Sequence, residues 1–110
     1  MTCPSRTDKE AGKAFEAAAK IHLEKLNEPD DAANIYVDAF KVYRKEDPEA
    51  AVRCINNAIN RYTSKGNYRR AASHKENEGE VLEVELGDRK RAMEAYGRAA
   101  EWYDGDGANA

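Results

Sequence analysis

The sequence predicts an all-α protein of about five antiparallel helices, stacked hairpin on hairpin into a solenoid. Three observations carry that expectation. Only three prolines and seven glycines interrupt 110 residues, and alanine, glutamate and lysine, good helix formers, are plentiful. A small–large–small pattern recurs, as Ala11, Phe15 and Ala18, as Ala32, Tyr36 and Ala39, as Ala51, Ile55 and Ala58, and as Ala92, Tyr96 and Ala99. At about 100° per residue, positions i, i+4 and i+7 share one narrow stripe of a helix, so each triplet is a seam where small residues admit a neighbouring backbone. Finally, the triplets begin 21, 19 and 41 residues apart, and Ala71 fills the long gap although Lys75 and Glu78 stand where apolar residues are expected.

The elements follow in order. The first helix is expected over 7–26. "NEPDD" ends it and offers Asp30 or Asp31 as the cap of a second over 31–46. "EDPEA" places Asp47 at a cap and Pro48 at the first helical position, where its missing N–H costs nothing, for a third over 48–65. "SKGN" and "LGDRK" supply glycines suited to left-handed helix ends, with helices over 68–86 and 89–103 following them. The connections are short, so consecutive helices pair antiparallel. Gly79, inside the fourth helix, reads as a packing residue. Lys75 and Glu78 read as a lysine buried along its stem and paired one turn on. Trp102 and Tyr103 look like core residues facing a further helix.

Several function classes are disfavoured. No apolar run approaches the roughly 20 residues that span a bilayer, and "MTCPSRTDKE" lacks the apolar core of a secretory signal. Cys3 and Cys54 suggest reduced thiols in a cytosolic protein. His22 and His74 lie far apart, with no second histidine or cysteine at metal spacing, so no metal or cofactor site is expected. With no nucleophile elbow, phosphate loop or dinucleotide fingerprint, the chain does not read as an enzyme.

Charge is laid out unevenly. The net value of −3 splits into −3 over 1–40 (five basic, eight acidic), +6 over 41–75 (nine basic, three acidic) and −6 over 76–110 (four basic, ten acidic). A basic third inside an acidic chain points to a surface for a negatively charged partner.

The repeat of about forty residues resembles the tetratricopeptide repeat, which implies a right-handed TPR-like solenoid over 7–104, here with helices longer than the standard repeat. Residues 1–6 and 105–110 are expected to be flexible ends. A closer likeness lies in "EAGKAFEAAAKIHL", "YVDAFKVYRKEDPEAAV", "YTSKGNYRRAA" and "EVELGDRKRAMEAYGRAAEWY". In that order they resemble segments of the soluble NSF attachment proteins of the alpha type, from about Lys9 onward. The resemblance implies a non-enzymatic adaptor that wraps the four-helix SNARE bundle (syntaxin-type) and recruits the ATPase NSF, which disassembles the bundle in vesicle transport. It implies SNARE contact through Arg44 and Lys45, which precede "DP" as in the family, and through Arg69, Arg70 and Lys75; Lys41 joins them as a base opposite the helix-two seam. Ser73 stands where some members carry a lysine. The resemblance further implies that the chain is the central part of a longer, cytoplasmic protein. The membrane-touching loop and the NSF-stimulating tail would lie outside it, so peripheral membrane association and NSF contact belong to the full-length protein. The alternative is a general TPR-like scaffold for an acidic peptide or protein. Nucleic-acid binding is disfavoured by the acidic whole and the lack of interleaved exposed aromatics.

Overall fold

The computed structural model describes residues 8–109, which form five helices and no strand: α1 (Asp8–Glu24), α2 (Pro29–Tyr43), α3 (Pro48–Ser64), α4 (Tyr68–Val84) and α5 (Arg89–Asn109). The helix ends obey local chemistry. The side chains of Asp47, Asn67 and Asp88 accept backbone N–H bonds from Ala50, Arg70 and Arg91, satisfying orphan donors at the starts of α3, α4 and α5. Gly66 and Gly87 adopt φ of +79° and +63°, the left-handed turn that ends α3 and α4. Between α1 and α2 the same turn is made by Asn27, at φ 53°. Asparagine tolerates that conformation better than most residues. This shifts the start of α2: Pro29 takes the first helical position and Glu28 the cap, without a side-chain bond. Asp30 and Asp31 are therefore inside the first turn rather than capping it. Gly105 does not take the left-handed turn, and α5 runs on to Asn109, beyond the expected end at 103. Residues 1–6, expected to be flexible, lie outside the described residues.

Consecutive helices pack as antiparallel neighbours. Helices two apart are joined by long side chains instead. Arg53 of α3 grips Glu16 of α1, Arg44 of α2 reaches Glu80 of α4, and Arg91 of α5 reaches Glu49 of α3. The odd helices thus form one layer and the even helices the other, giving an all-α, TPR-like array measuring 56 × 36 × 18 Å. An 18 Å thickness fits two helices of about 10 Å each. The core runs along the seam between the layers, with Tyr36, Phe40 and Tyr43 of α2 against Ile55, Ile59 and Tyr62 of α3 and the alanines between them.

The expected seams hold on α2 and α3, where Ala32, Tyr36, Ala39, Ala51, Ile55 and Ala58 are all buried. On α1 the buried stripe is displaced by one residue. Gly12 and Ala19 are buried, while Ala11, Phe15 and Ala18 sit at its edge. The reason is Tyr43, whose ring occupies the place where a Cβ on Gly12 would be, 2.6 Å from the ideal position. Its hydroxyl donates to Glu16 at 2.7 Å. The same arrangement recurs in the last hairpin. A Cβ on Gly79 would lie 2.9 Å from the Tyr96 ring, and the Tyr96 hydroxyl donates to Glu83, again four residues past the glycine. Tyr96 differs in remaining 37% exposed, because among the described residues no further helix packs on its outer face. Lys75 and Glu78 pair at 2.9 Å, and Trp102 packs partly buried against the core with Tyr68 beside it.

These two glycines predict unequal costs. Alanine gains up to about 1 kcal/mol of helix propensity over glycine, but overpacking a closed site costs about 1–3 kcal/mol. Gly12→Ala is expected to lower stability to urea, since Tyr43 is 2% exposed and cannot move aside. Gly79→Ala is expected to be near neutral because Tyr96 can swing outward. Urea unfolding followed by circular dichroism measures both, and a larger loss at Gly79 would contradict this packing.

Candidate protein-binding surface

The basic third of the chain is folded into acid. Six of its nine bases are held in ion pairs by carboxylates that lie outside residues 41–75. Arg44 pairs with Glu80 at 2.8 Å and Lys45 with Glu85 at 3.4 Å. Arg53 pairs with Glu16 at 2.9 Å, while Arg61 and Lys65 share Asp30 at 2.8 and 3.0 Å. Lys75 pairs with Glu78 and donates to Asn56. The sequence tally of +6 is therefore much larger than the field the folded surface presents.

The structure spreads the six expected bases: Arg44 and Lys45 reach the C-terminal half of α4 through Glu80 and Glu85, whereas Arg70 is in its first turn, about 15 Å from Glu80 along the helix. Lys41, Arg44 and Lys45 lie at the C-terminal end of α2, and Arg70 on the adjoining α4. Arg44 and Lys45 both reach α4 through their carboxylate partners. The guanidinium of Arg70 lies 5.0 Å over the Tyr62 ring, which stacks on His74 with centroids 5.3 Å apart and planes 15° apart. Burial pushes the His74 imidazole below its ordinary pKa, and the positive charges of Arg70 and Lys41 push it further. Lys41 and Arg70 thus converge on His74 from two helices. Arg69, one residue along α4, acts on the Tyr103 hydroxyl instead. Lys75 is directed away from this group, to the α3 side of α4, with its side chain 18% exposed.

His74 was not among the expected binding residues; Arg70 precedes it by one turn of α4, but the Tyr62 ring and Lys41 reach it from α3 and α2, which the sequence around it does not show. Glu16 was missed in the same way. Burial raises its carboxyl, but hydrogen bonds from Arg53 and Tyr43 outweigh that and hold it below the ordinary glutamate value. Cys54 is buried and its thiol is pushed up to about 12, first by desolvation and then by Glu16, so it stays protonated and unreactive. Among the described residues His22, Glu28 and Asp31 bring donor atoms within 4.8 Å of one another across the α1–α2 turn. His22 Nδ1 and Glu28 Oε1 are already 2.8 Å apart, which makes the group a clasp on that turn. No described helix is long and apolar enough to cross a membrane.

Comparison with known proteins gives one consistent result. The family model of the soluble NSF attachment proteins matches residues 5–110. A probable vesicular-fusion protein sec17 homolog of Neurospora crassa is 61% identical over 103 residues, covering 94% of this chain and 35% of that protein. The corresponding protein of Schizosaccharomyces pombe is 50% identical over 100 residues, with 91% and 34% covered. The human alpha-soluble NSF attachment protein is 39% identical over 99 residues, with 90% and 33% covered. The chain spans about a third of the length of these curated relatives.

The convergence on His74 is open to measurement. Its proton NMR titration is expected below the ordinary value of 6.5 and to move upward in Lys41→Ala and in Arg70→Ala. A folded-state value below the unfolded one means the folded protein binds fewer protons there. Stability is then lost as pH falls from about 6.5 toward the folded value, and is unaffected above it. A midpoint unmoved by both substitutions would contradict the arrangement.

Proposed function

Because the chain belongs to the soluble NSF attachment protein family, we propose that it contributes part of the surface by which a vesicle-fusion adaptor grips the four-helix SNARE bundle. The reading rests on Lys41 of α2 and Arg70 of α4, whose positive charges both act on the buried His74 and lower its pKa. Two cations on a stiff helical wall suit an acidic stripe on a rod-like partner. Arg44 and Lys45 continue that surface along α2, and Arg69 lies beside it on the Tyr103 side of α4. Exposed ion pairs are worth about 0–1 kcal/mol, so a partner carboxylate can replace Glu80 or Glu85 at little cost. Lys75, committed to Glu78 and Asn56, serves the fold in this reading.

The adaptor works without catalysing a reaction itself. Recruitment of NSF, which then dissociates the bundle, and peripheral attachment to the cytosolic face of membranes are assigned to parts of the full-length protein outside this chain. The family membership and the relatives' names, vesicular-fusion protein and NSF attachment protein, support a vesicle-fusion adaptor role. The second reading, a general scaffold for an acidic peptide, uses the same two cations but needs no four-helix geometry.

Charge reversal separates them. Lys41→Glu with Arg70→Glu is expected to weaken binding to an assembled SNARE bundle by about tenfold or more, equivalent to about 1.4 kcal/mol. The loss should shrink at high salt. Arg44→Glu with Lys45→Glu should cost less, because those bases already have partners. Unchanged capture of the bundle by both double variants leaves only the scaffold reading. Tighter binding of RNA or DNA than of the bundle at physiological salt would overturn both.

A further inference from the structure

We infer that the ion pairs between α2 and α4 are a releasable strap, which an acidic partner unties by drawing Arg44 and Lys45 away from their carboxylates. The trigger rests on the SNARE reading above, whereas the strap itself rests on the fold. Among the described residues, extended close packing joins only consecutive helices. Helices of one layer stand apart. Between Leu23 of α1 and Asn57 and Asn60 of α3, a dent of about 370 Å³ reaches down to Ala32 and Ala33 of α2. Long charged side chains span such gaps, so they bear directly on the spacing within each layer.

The two layers are strapped unequally. In the odd layer, Arg53 makes three hydrogen bonds of 2.9 to 3.1 Å to Glu16, whose side chain is 13% exposed and also accepts from Tyr43. Arg91 holds Glu49 through both terminal nitrogens, at 3.0 and 3.2 Å. In the even layer, Arg44 gives Glu80 one hydrogen bond of 2.8 Å. Glu85 is reached by longer contacts, 3.4 Å from Lys45 and 3.9 Å from Arg44. Bidentate pairs are the stronger and better-aligned class, so the even layer yields first.

Helix polarity supplies the drive to open. Arg44 is the C-cap of α2 and Lys45 follows it, so both bases face the negative end of that helix and stay well placed without Glu80. Glu85 is the C-cap of α4, where the helix dipole disfavours a negative charge, and its side chain is 16% exposed. Among the described residues Arg44 and Lys45 are the cations that compensate it. Once a partner carboxylate draws those bases away, Glu85 is a largely buried, uncompensated charge at the negative end of its helix. Turning out to water relieves it. The C-terminal half of α4 then moves away from α2, while Arg53 and Arg91 keep α1, α3 and α5 in place. Binding and opening of the even face are thereby coupled.

The test reads spacing by pulsed electron paramagnetic resonance in the intact chain, with Cys3→Ser and the native Cys54 buried and so unlabelled. Nitroxides on Asp38→Cys of α2 and Val84→Cys of α4 read the even layer. A second pair, on Lys20→Cys and Asn57→Cys, reads α1 against α3; all four positions are exposed. In the free chain, Arg44→Gln with Lys45→Gln is expected to lengthen the α2–α4 distance by about 2 Å or more and to leave the α1–α3 distance unchanged. Adding Glu85→Gln to that variant should reverse the lengthening, since the uncompensated charge is gone. Binding of an assembled SNARE bundle to the chain with Arg44 and Lys45 intact should lengthen the same distance. An α2–α4 distance unmoved by the double variant, in chains whose circular dichroism shows intact helices, overturns the inference. So do equal lengthening in both layers, lengthening that Glu85→Gln does not reverse, and a bundle that binds without moving α4. Failure of the bundle to bind overturns the SNARE reading instead, and the free-chain distances still decide whether the strap exists.

Discussion

The contact on which the rest of this structure depends is a tyrosine ring filling the space of an absent side chain. Tyr43 of α2 lies against Gly12 of α1 and donates its hydroxyl to Glu16, one turn further along the same helix. That single arrangement fixes three things together. It sets how closely the helices approach, since only glycine leaves room for the ring. It sets their antiparallel register, since the hydroxyl reaches one carboxylate. It also anchors the odd-helix layer, because Glu16 is the acid that Arg53 of α3 holds with both oxygens. The last hairpin repeats the device with Gly79, Tyr96 and Glu83, and Tyr103 reaches Glu76 seven residues earlier on α4. In the first hairpin the ring is covered and serves the core. In the last, the Tyr96 ring is 37% exposed among the described residues.

Much of this was legible in the residues. Pro48, Gly66 and Gly87 mark helix ends by conformational limits that hold in any context, and the alanine triplets of α2 and α3 are buried because period and side-chain size agree there. Two features were not legible. Asn27 does the work of a glycine at the α1–α2 turn, and the nearby prolyl–aspartate run drew the cap two residues too late. In α1, Phe15 matched the expected large residue of the triplet, whereas the ring that fills the seam comes from Tyr43, twenty-seven or more positions away. Pattern along one helix cannot show which neighbour supplies the plug.

The candidate surface shows the same limit more sharply. Counting charges along the chain finds the basic third but cannot see that Glu80, Glu85, Glu16, Asp30 and Glu78 fold back onto it. Arg44 and Glu80 are thirty-six positions apart in sequence and 2.8 Å apart in space. Arg44, Lys45 and Lys75 are already paired within the fold, while Lys41 and Arg70 both act on His74.

The most direct measurement is a double-mutant cycle on Gly12 and Tyr43, read as unfolding free energy. If the ring is what forbids a side chain at position 12, Gly12→Ala is unfavourable beside Tyr43 but becomes favourable once Tyr43→Leu has removed the ring, because helix propensity then acts alone. A reversal of sign is the predicted result. An alanine that costs the same in both backgrounds would show that the tyrosine does not set the approach of these helices.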